Sequence, residues 1–143
     1  SRFLADGSRL GGLGEPTYSG HVSDDFKTLA MEMLAPMEGI SARAMFGGVG
    51  FFKAKLMFAL IAFDELYLKI DAETRPHFEA EGCRPFTYEG KHKPMEIGYW
   101  TVPERLYDDA DAFLKWAERA FDVAVRSDAA KPPSQRKYKP QYL

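Results

Sequence analysis

Several features of exported and membrane proteins are missing from this chain of 143 residues. It has one cysteine, Cys83, so an internal disulfide cannot form, and such sparse cysteine is typical of a reducing compartment. No apolar run approaches the ~20 residues that cross a membrane, and residues 1–20 lack the apolar core of a secretory signal. We therefore expect a cytoplasmic domain without a membrane partner.

The residue patterns of catalytic and metal sites are also missing. The histidines His21, His77 and His92 lie on different predicted elements, and no H-x3-H, H-E-x-x-H, paired-cysteine or G-x-S-x-G motif is present. Arg84 beside Cys83 favours a reactive thiol, but a lone cysteine is more often a small buried hydrophobic residue. We predict no catalytic residue, no metal ligand and no cofactor. A thiol enzyme or small-ligand site near Cys83, His77 and Arg84 is the least favoured alternative.

The amino-acid composition is typical of a folded domain, and charge is unevenly distributed along the chain. Apolar residues make up 45% and charged residues 28% of the chain, which excludes wholesale disorder. Residues 21–128 contain 13 basic and 19 acidic side chains, whereas residues 129–143 contain four basic and no acidic ones. An acidic body repels phosphate, so it binds nucleic acid poorly unless basic residues cluster on one face.

Composition divides the chain into three parts. Residues 1–21 hold several glycines and few large apolar side chains, so we predict a flexible N-terminal tail. We predict one folded domain over residues 22–126. Residues 127–143 hold prolines and lysines and are predicted to form a basic, flexible C-terminal tail.

Hydrophobic periodicity predicts an α+β domain in two layers, with helices on an antiparallel sheet and the order α-β-β-β-α-β-β-α. Leu29 belongs to an apolar stripe at helical spacing, so it is predicted to face the core from the first helix. Residues 56–63 are apolar on both faces, which indicates a central, buried strand. Asp108 or Asp109 is expected to cap the last helix.

Two predicted turns separate consecutive strands. The glycine-rich residues 47–50 separate a strand over residues 42–46 from one that resumes over residues 49–53. Because no helix follows, we predict a bulge or sharp bend that leaves no room for a Cβ, rather than a phosphate-binding loop. Asp64 and Glu65 are predicted to form a two-residue turn after the central strand.

Aromatic and basic residues alternate in a predicted hairpin over residues 85–89 and 95–102. Rings interleaved with cations can stack nucleobases on a sheet face. The simpler interpretation, which we favour, is that two or three of these rings lie in the core, because successive strand residues point to opposite faces. The candidate nucleic-acid contacts of the hairpin and the tail are Lys91, Lys93, Lys131, Arg136, Lys137 and Lys139.

Several segments in one order resemble the TfoX N-terminal domain family. They are SARAMFGGVG at residues 41–50, LMFALIA at 56–62, LYLKIDAET at 66–74, RPFTYE at 84–89 and KPMEIGYW at 93–100, followed by Pro103. The resemblance runs from about residue 24 to about residue 125. It departs at Ala44, where the family often has a second arginine.

The resemblance implies a secretion-chaperone-like α+β fold and a link to TfoX/Sxy regulators of bacteria. Those regulators promote transcription of competence and DNA-uptake genes together with a cyclic-AMP receptor protein, and they carry a further C-terminal helical domain. Because this chain ends in a short basic tail, we expect a stand-alone N-terminal domain. The family offers no catalytic residues to map.

We therefore predict a non-catalytic protein-interaction domain that co-regulates transcription, with a regulator or a protein of the transcription machinery as its partner. The alternative function is a nucleic-acid-binding module that uses the aromatic hairpin and the basic tail. A homodimer through the last helix or a sheet edge is left open, as is direct DNA contact. The candidate interaction residues are Phe86, Tyr88, Tyr99, Trp100, Trp116 and Val123.

Overall fold

The computed structural model describes residues 24–45, 47–89 and 94–138, so the predicted N-terminal tail, residues 1–21, lies outside it. The helices are α1 (Asp24–Leu34), α2 (Arg75–Ala80) and α3 (Ala110–Ala129). The strands are β1 (Ile40–Met45), β2 (Gly48–Lys53), β3 (Leu56–Ala62), β4 (Glu65–Lys69), β5 (Pro85–Glu89) and β6 (Pro94–Thr101). Short 3-10 helices cover Ala35–Met37, Glu104–Asp108 and Pro133–Gln135.

The six described strands form one sheet in the order β1-β2-β3-β4-β6-β5, with every neighbouring pair antiparallel. Helix α3 packs on β3 and β4, and α1 packs on α3. The predicted α+β fold, with helices on an antiparallel sheet, is confirmed.

The predicted element order has one strand too few before α2. Gly47 takes a positive φ of 74° and reverses the chain at the predicted bend, so that the two strands predicted on either side of it pair as β1 and β2, with Met45 opposite Gly48. Gly48 is buried, and a Cβ there would overlap the carbonyl oxygen of Ile61 on β3. The prediction that this region leaves no room for a Cβ is therefore confirmed at Gly48. The irregularity in the β2–β3 pairing lies further along, between Phe51 and Phe52.

The central strand is correctly predicted, but the turn after it is shifted by one residue. Almost every residue of β3 is buried, as its two apolar faces indicate. The turn uses Phe63 and Asp64, with φ of 55° and 57°, while Glu65 already pairs with Ala62. The Phe63 side chain is therefore 62% exposed instead of buried at the end of the strand.

Two apolar clusters lie on the two faces of the sheet, because alternate strand residues point in opposite directions. The larger cluster joins α1 and α3 to the sheet and contains Phe58, Leu68 and Trp100. The smaller cluster holds strand residues that point away from the helices. Its buried members are Leu60, Ala62, Tyr67, Phe86 and Tyr99. Alternation is broken once along β3, where Phe58 and Ala59 both belong to the larger cluster next to the irregularity in the β2–β3 pairing.

Two local predictions about the helices have opposite outcomes. The carboxylate of Asp109 accepts a hydrogen bond from the backbone N–H of Ala112 at 3.1 Å, which confirms the predicted cap of α3. Leu29, by contrast, is 41% exposed, although Ala30 and Leu34 of the same helix are buried. The prediction that Leu29 is core is wrong, because Leu29 lines a groove instead of packing into the interior.

The predicted domain boundary at residue 126 lies inside α3, which continues to Ala129. Beyond the helix the chain is fixed by Asp128, whose buried carboxylate accepts hydrogen bonds from the backbone N–H groups of Lys137 and Tyr138. The Tyr138 ring meets Phe121 edge-on, with ring centroids 6.3 Å apart. The described part of the predicted tail therefore packs on the domain.

Candidate functional site

A groove of about 660 Å³ opens beside the exposed face of α1. Its walls come from α1, from the β3–β4 turn, and from the chain around the start of β5 and the end of β6. Leu66 and Val102 are buried at its base, and the rings of Phe26 and Tyr107 lie 6.3 Å apart beside them. Leu29 thus gives the groove an accessible apolar side chain. We call this site the acidic groove, for the reason that follows.

Carboxylates dominate the charged rim of the groove. Arg84 pairs with Glu65 at 2.8 Å, and the pair lines the rim. Glu81 pairs with Arg105 at 2.7 Å. The hydrogen bond from Arg105 is the main cause that lowers the pKa of Glu81. The other rim carboxylates are Asp64 and Glu104, and neither forms an ion pair within the described residues.

The Phe63–Asp64 turn at the groove carries backbone strain and an unsatisfied oxygen. Both residues adopt left-handed backbone angles, which cost a non-glycine residue roughly 1–2 kcal/mol. Phe63 stacks on Phe86 with ring centroids 6.2 Å apart. The Oδ1 atom of Asp64 is buried without a hydrogen-bond partner in the described part of the chain.

The thiol of Cys83 also lines the groove, but its environment does not activate it. Burial is the main cause that raises the pKa of Cys83, and it outweighs the hydrogen bond with Thr101 and the charge of Arg84. A reactive thiol needs a lowered pKa, so that thiolate is present at neutral pH. His77 is exposed on α2 and does not line the groove. The predicted alternative of a Cys83–His77 site therefore gains no support.

The candidate interaction residues are mostly buried. Phe86 and Tyr99 lie in the smaller cluster, while Trp100 and Val123 are buried in the domain as well. The described rings of the hairpin therefore form no exposed platform, and the simpler interpretation that they belong to the core is correct. Side chains that point to either face of the sheet are buried, because an apolar cluster covers each face. The side chain of Tyr88 lies outside the described part.

Trp116 is the one candidate ring on α3 with a partly exposed side chain. It contacts Phe78 of α2 edge-on, with centroids 4.9 Å apart, and the guanidinium of Arg119 lies 4.5 Å from its ring centre. These contacts tie Trp116 to its own domain and leave only part of the ring to a partner.

Three of the six basic candidates lie within the described residues. Lys131, Arg136 and Lys137 are exposed on the segment that follows α3. Lys91, Lys93 and Lys139 lie outside the described residues. The segment after α3 meets lysines and an arginine of the sheet that the sequence does not single out, namely Arg43, Lys55 and Lys69.

Residues 24–45, 47–89 and 94–138 contain neither a cluster of metal-ligand side chains nor a membrane-spanning helix. No group of three or more histidine, cysteine, aspartate or glutamate side chains there is placed to hold a metal ion. No helix in that part of the chain is long and apolar enough to cross a bilayer.

Comparison with known proteins agrees with the described fold. Residues 32–124 match the TfoX N-terminal domain. A curated relative, DNA transformation protein TfoX1 of Aliivibrio fischeri (strain ATCC 700601 / ES114), is 31% identical over 80 residues, which are 56% of this chain. The match spans 38% of that relative's length. Since the domain match covers most of the chain, the protein belongs to the TfoX N-terminal domain family.

Proposed function

We propose that this domain is a non-catalytic regulatory domain that co-regulates transcription by holding a segment of a partner protein in the acidic groove. The observation that carries the proposal is a groove that exposes Leu29 and carries on its rim the carboxylates of Asp64 and Glu104, neither of which has an ion-pair partner among the described residues. A regulatory role of the competence and DNA-uptake type is supported by membership of the TfoX N-terminal domain family and by the relative named as a DNA transformation protein.

The chemistry of the groove specifies its occupant. Of the four rim carboxylates, Glu65 and Glu81 pair with Arg84 and Arg105, which leaves those of Asp64 and Glu104 without an ion pair among the described residues. The apolar base suits one or two aliphatic side chains, and the rim suits lysine or arginine beside them. The partner segment is therefore apolar with flanking basic residues, whose cations lie beside the carboxylates of Asp64 and Glu104.

The state of Cys83 supports a binding role over a catalytic one. Its raised pKa keeps the thiol protonated near neutral pH. A cytoplasmic location remains a prediction from the single cysteine in the sequence.

Matched peptides test the occupant. Two labelled amphipathic peptides carry the same leucine spacing, one with lysine and one with glutamate at the remaining positions, and fluorescence anisotropy measures their binding. We expect the lysine peptide to bind and the glutamate peptide to fail. Leu29→Asp should weaken lysine-peptide binding about tenfold or more, because it removes the accessible apolar contact.

The control is Thr28→Asp, which adds the same charge to α1 at an exposed residue outside the groove. Attraction by net charge alone predicts that both variants bind the lysine peptide more tightly. Equal affinity of the two variants would therefore overturn the proposed site. A second copy of the chain is the competing occupant, and a concentration-dependent dimer that Leu29→Asp dissociates would replace the partner segment with that copy.

A further inference from the structure

A second site, opposite in charge to the acidic groove, lies where the segment after α3 crosses the sheet. Two adjoining cavities of about 440 and 170 Å³ share Phe52, Lys55 and Lys137 as lining residues. We call them together the basic cleft. Its cationic side chains are Arg43, Lys55, Lys69, Lys131 and Lys137.

Four separate parts of the fold bring these cations together. Arg43 lies on β1, Lys55 in the β2–β3 turn, and Lys69 at the end of β4. The segment after α3 supplies Lys131 and Lys137. The carboxylate of Asp128 holds that segment by accepting hydrogen bonds of 2.9–3.1 Å from two backbone N–H groups. The cleft therefore depends on tertiary structure and has no local sequence motif.

Aromatic rings orient two of the cations. The guanidinium carbon of Arg43 lies 4.6 Å from the ring centre of Phe52, and the Nζ of Lys69 lies 5.0 Å from that of Tyr99. Both rings are buried, so they offer no open face to a base. They favour cations placed over them and so position the charges of the cleft in advance.

The cleft has an excess of positive charge that the described residues do not neutralise. Asp128 is the single carboxylate that lines it, and both of its oxygens are engaged by backbone N–H groups. Of the five cations, only Lys131 approaches a described carboxylate within ion-pair distance, at 3.8 Å from Asp128. Burial, and then the charge of Lys131, lower the pKa of Lys69 despite the opposing effect of Asp71. Crowded cations of this kind are stabilised by an anion.

The excess contrasts with the rest of the domain. Residues 21–128 carry six more acidic than basic side chains, so an average surface of this protein repels phosphate. A cluster of cations on one face is the condition under which an acidic protein binds a polyanion.

We infer that the basic cleft binds the phosphodiester backbone of nucleic acid, in addition to the partner segment proposed for the acidic groove. Several cations spaced along a cleft match a row of phosphates better than one isolated phosphate. Because the rings are covered, contacts go to the backbone, and binding is independent of base sequence. This is a different geometry from base stacking on the hairpin, which the buried rings of Phe86, Tyr99 and Trp100 do not permit.

The test uses the full chain and labelled oligonucleotides of mixed sequence, single- and double-stranded, in fluorescence anisotropy between about 50 and 200 mM NaCl. We expect an unrelated sequence to compete equally well. Arg43→Glu with Lys55→Glu should weaken binding about tenfold or more at the low-salt end, and should reduce the slope of log K against log salt by about two. Both residues are exposed, and neither forms a hydrogen bond or ion pair with Asp128 in the described part of the chain, so the hydrogen bonds that hold the C-terminal segment are retained.

The matched control is Lys27→Glu with Lys115→Glu, which makes the same change in net charge on exposed helix residues outside the cleft. We expect this control to lose clearly less affinity than the cleft variant. Equal loss in the two variants, or no binding of the wild-type chain at low salt, would overturn the inference. The variant Arg43→Gln with Lys55→Gln removes the two charges without reversing them. It provides the same test if the first variant unfolds.

Two further binding experiments distinguish nucleic acid from other sources of phosphate. Inorganic phosphate at the same phosphate concentration should displace little of the bound oligonucleotide. Complete displacement would reassign the cleft to a free phosphate ion. Vesicles of phosphatidylserine and phosphatidylcholine that bind when the oligonucleotides do not would reassign it to a membrane surface.

Discussion

Gly48→Ala is expected to lower the free energy of unfolding by about 3 kcal/mol, near the upper end of what overpacking a core costs. The reason is space rather than backbone angle. A Cβ at Gly48 would overlap the backbone carbonyl of Ile61, and that carbonyl belongs to β3, whose pairing with β2 begins at Val49 and Ile61. Neither strand can move aside without breaking the ladder that builds the centre of the sheet.

Gly50→Ala is the matched control in the same strand. A Cβ at Gly50 would come within 2.7 Å of the Sδ of Met45 and 2.8 Å of the Sδ of Met57. Both sulfurs belong to flexible side chains that can rotate away, so we expect a loss below about 1.5 kcal/mol. Urea unfolding followed by tryptophan fluorescence measures both values. Equal losses, or a Gly48→Ala variant as stable as wild type, would contradict the described β2–β3 packing.

Asp128→Ala is expected to lower the free energy of unfolding at neutral pH by about 2 kcal/mol. It removes the acceptor of two backbone N–H groups, those of Lys137 and Tyr138, and so releases the edge contact between Tyr138 and Phe121. Asp122→Ala is the control, because Asp122 lies exposed on the same helix and should change stability by less than about 0.5 kcal/mol.

The effect of Asp128 should depend on pH in a defined direction. Burial acts to raise its pKa, but the backbone hydrogen bonds from Lys137 and Tyr138 and the charges of Lys131 and Lys137 outweigh it, so the pKa lies below its usual value. A carboxylate with a lowered folded-state pKa stabilises the fold above its unfolded pKa of about 3.9. That contribution is lost as the pH falls through the lower, folded-state pKa.

Unfolding curves at neutral and acid pH test this direction. The difference in stability between wild type and Asp128→Ala should be constant from neutral pH down to about pH 5 and should shrink below about pH 4. A difference that grows as the pH falls would contradict the hydrogen bonds assigned to Asp128.

Local sequence patterns predicted the parts of the fold that local physics decides. The apolar faces of β3, the capping carboxylate of Asp109 and the lack of space at Gly48 each follow from one segment and its immediate neighbours. The α+β class follows from the periodicities of those segments together. The exposure of Leu29 does not follow from its own segment. A helical stripe gives the direction of a side chain but not which neighbouring elements cover it.

The two candidate sites were not predictable in the same way. The cations of the basic cleft are separated by long stretches of chain. Arg43, Lys55 and Lys137 come together only through the strand order and the backbone hydrogen bonds to Asp128. The rim of the acidic groove likewise joins Asp64 to Glu104 across the sheet.

The hairpin aromatics illustrate a further limit. Alternation along a strand separates Tyr99 from Trp100, but it cannot say whether either face meets water. In this domain both faces carry an apolar cluster, so both rings are buried. Phe86, Tyr99 and Trp100 therefore offer no exposed ring to a partner.

The central claim is that one small domain holds two separate binding sites of opposite charge, and a two-ligand NMR titration tests it most directly. Amide resonances of the labelled chain are followed while the lysine-rich amphipathic peptide and then a mixed-sequence oligonucleotide are added. We predict that the peptide shifts the resonances of Leu29, Asp64 and Cys83, and that the oligonucleotide shifts those of Arg43, Lys55 and Lys131. Peptide and oligonucleotide shifts that fall on the same residues, or shifts confined to residues outside both sites, would contradict the account.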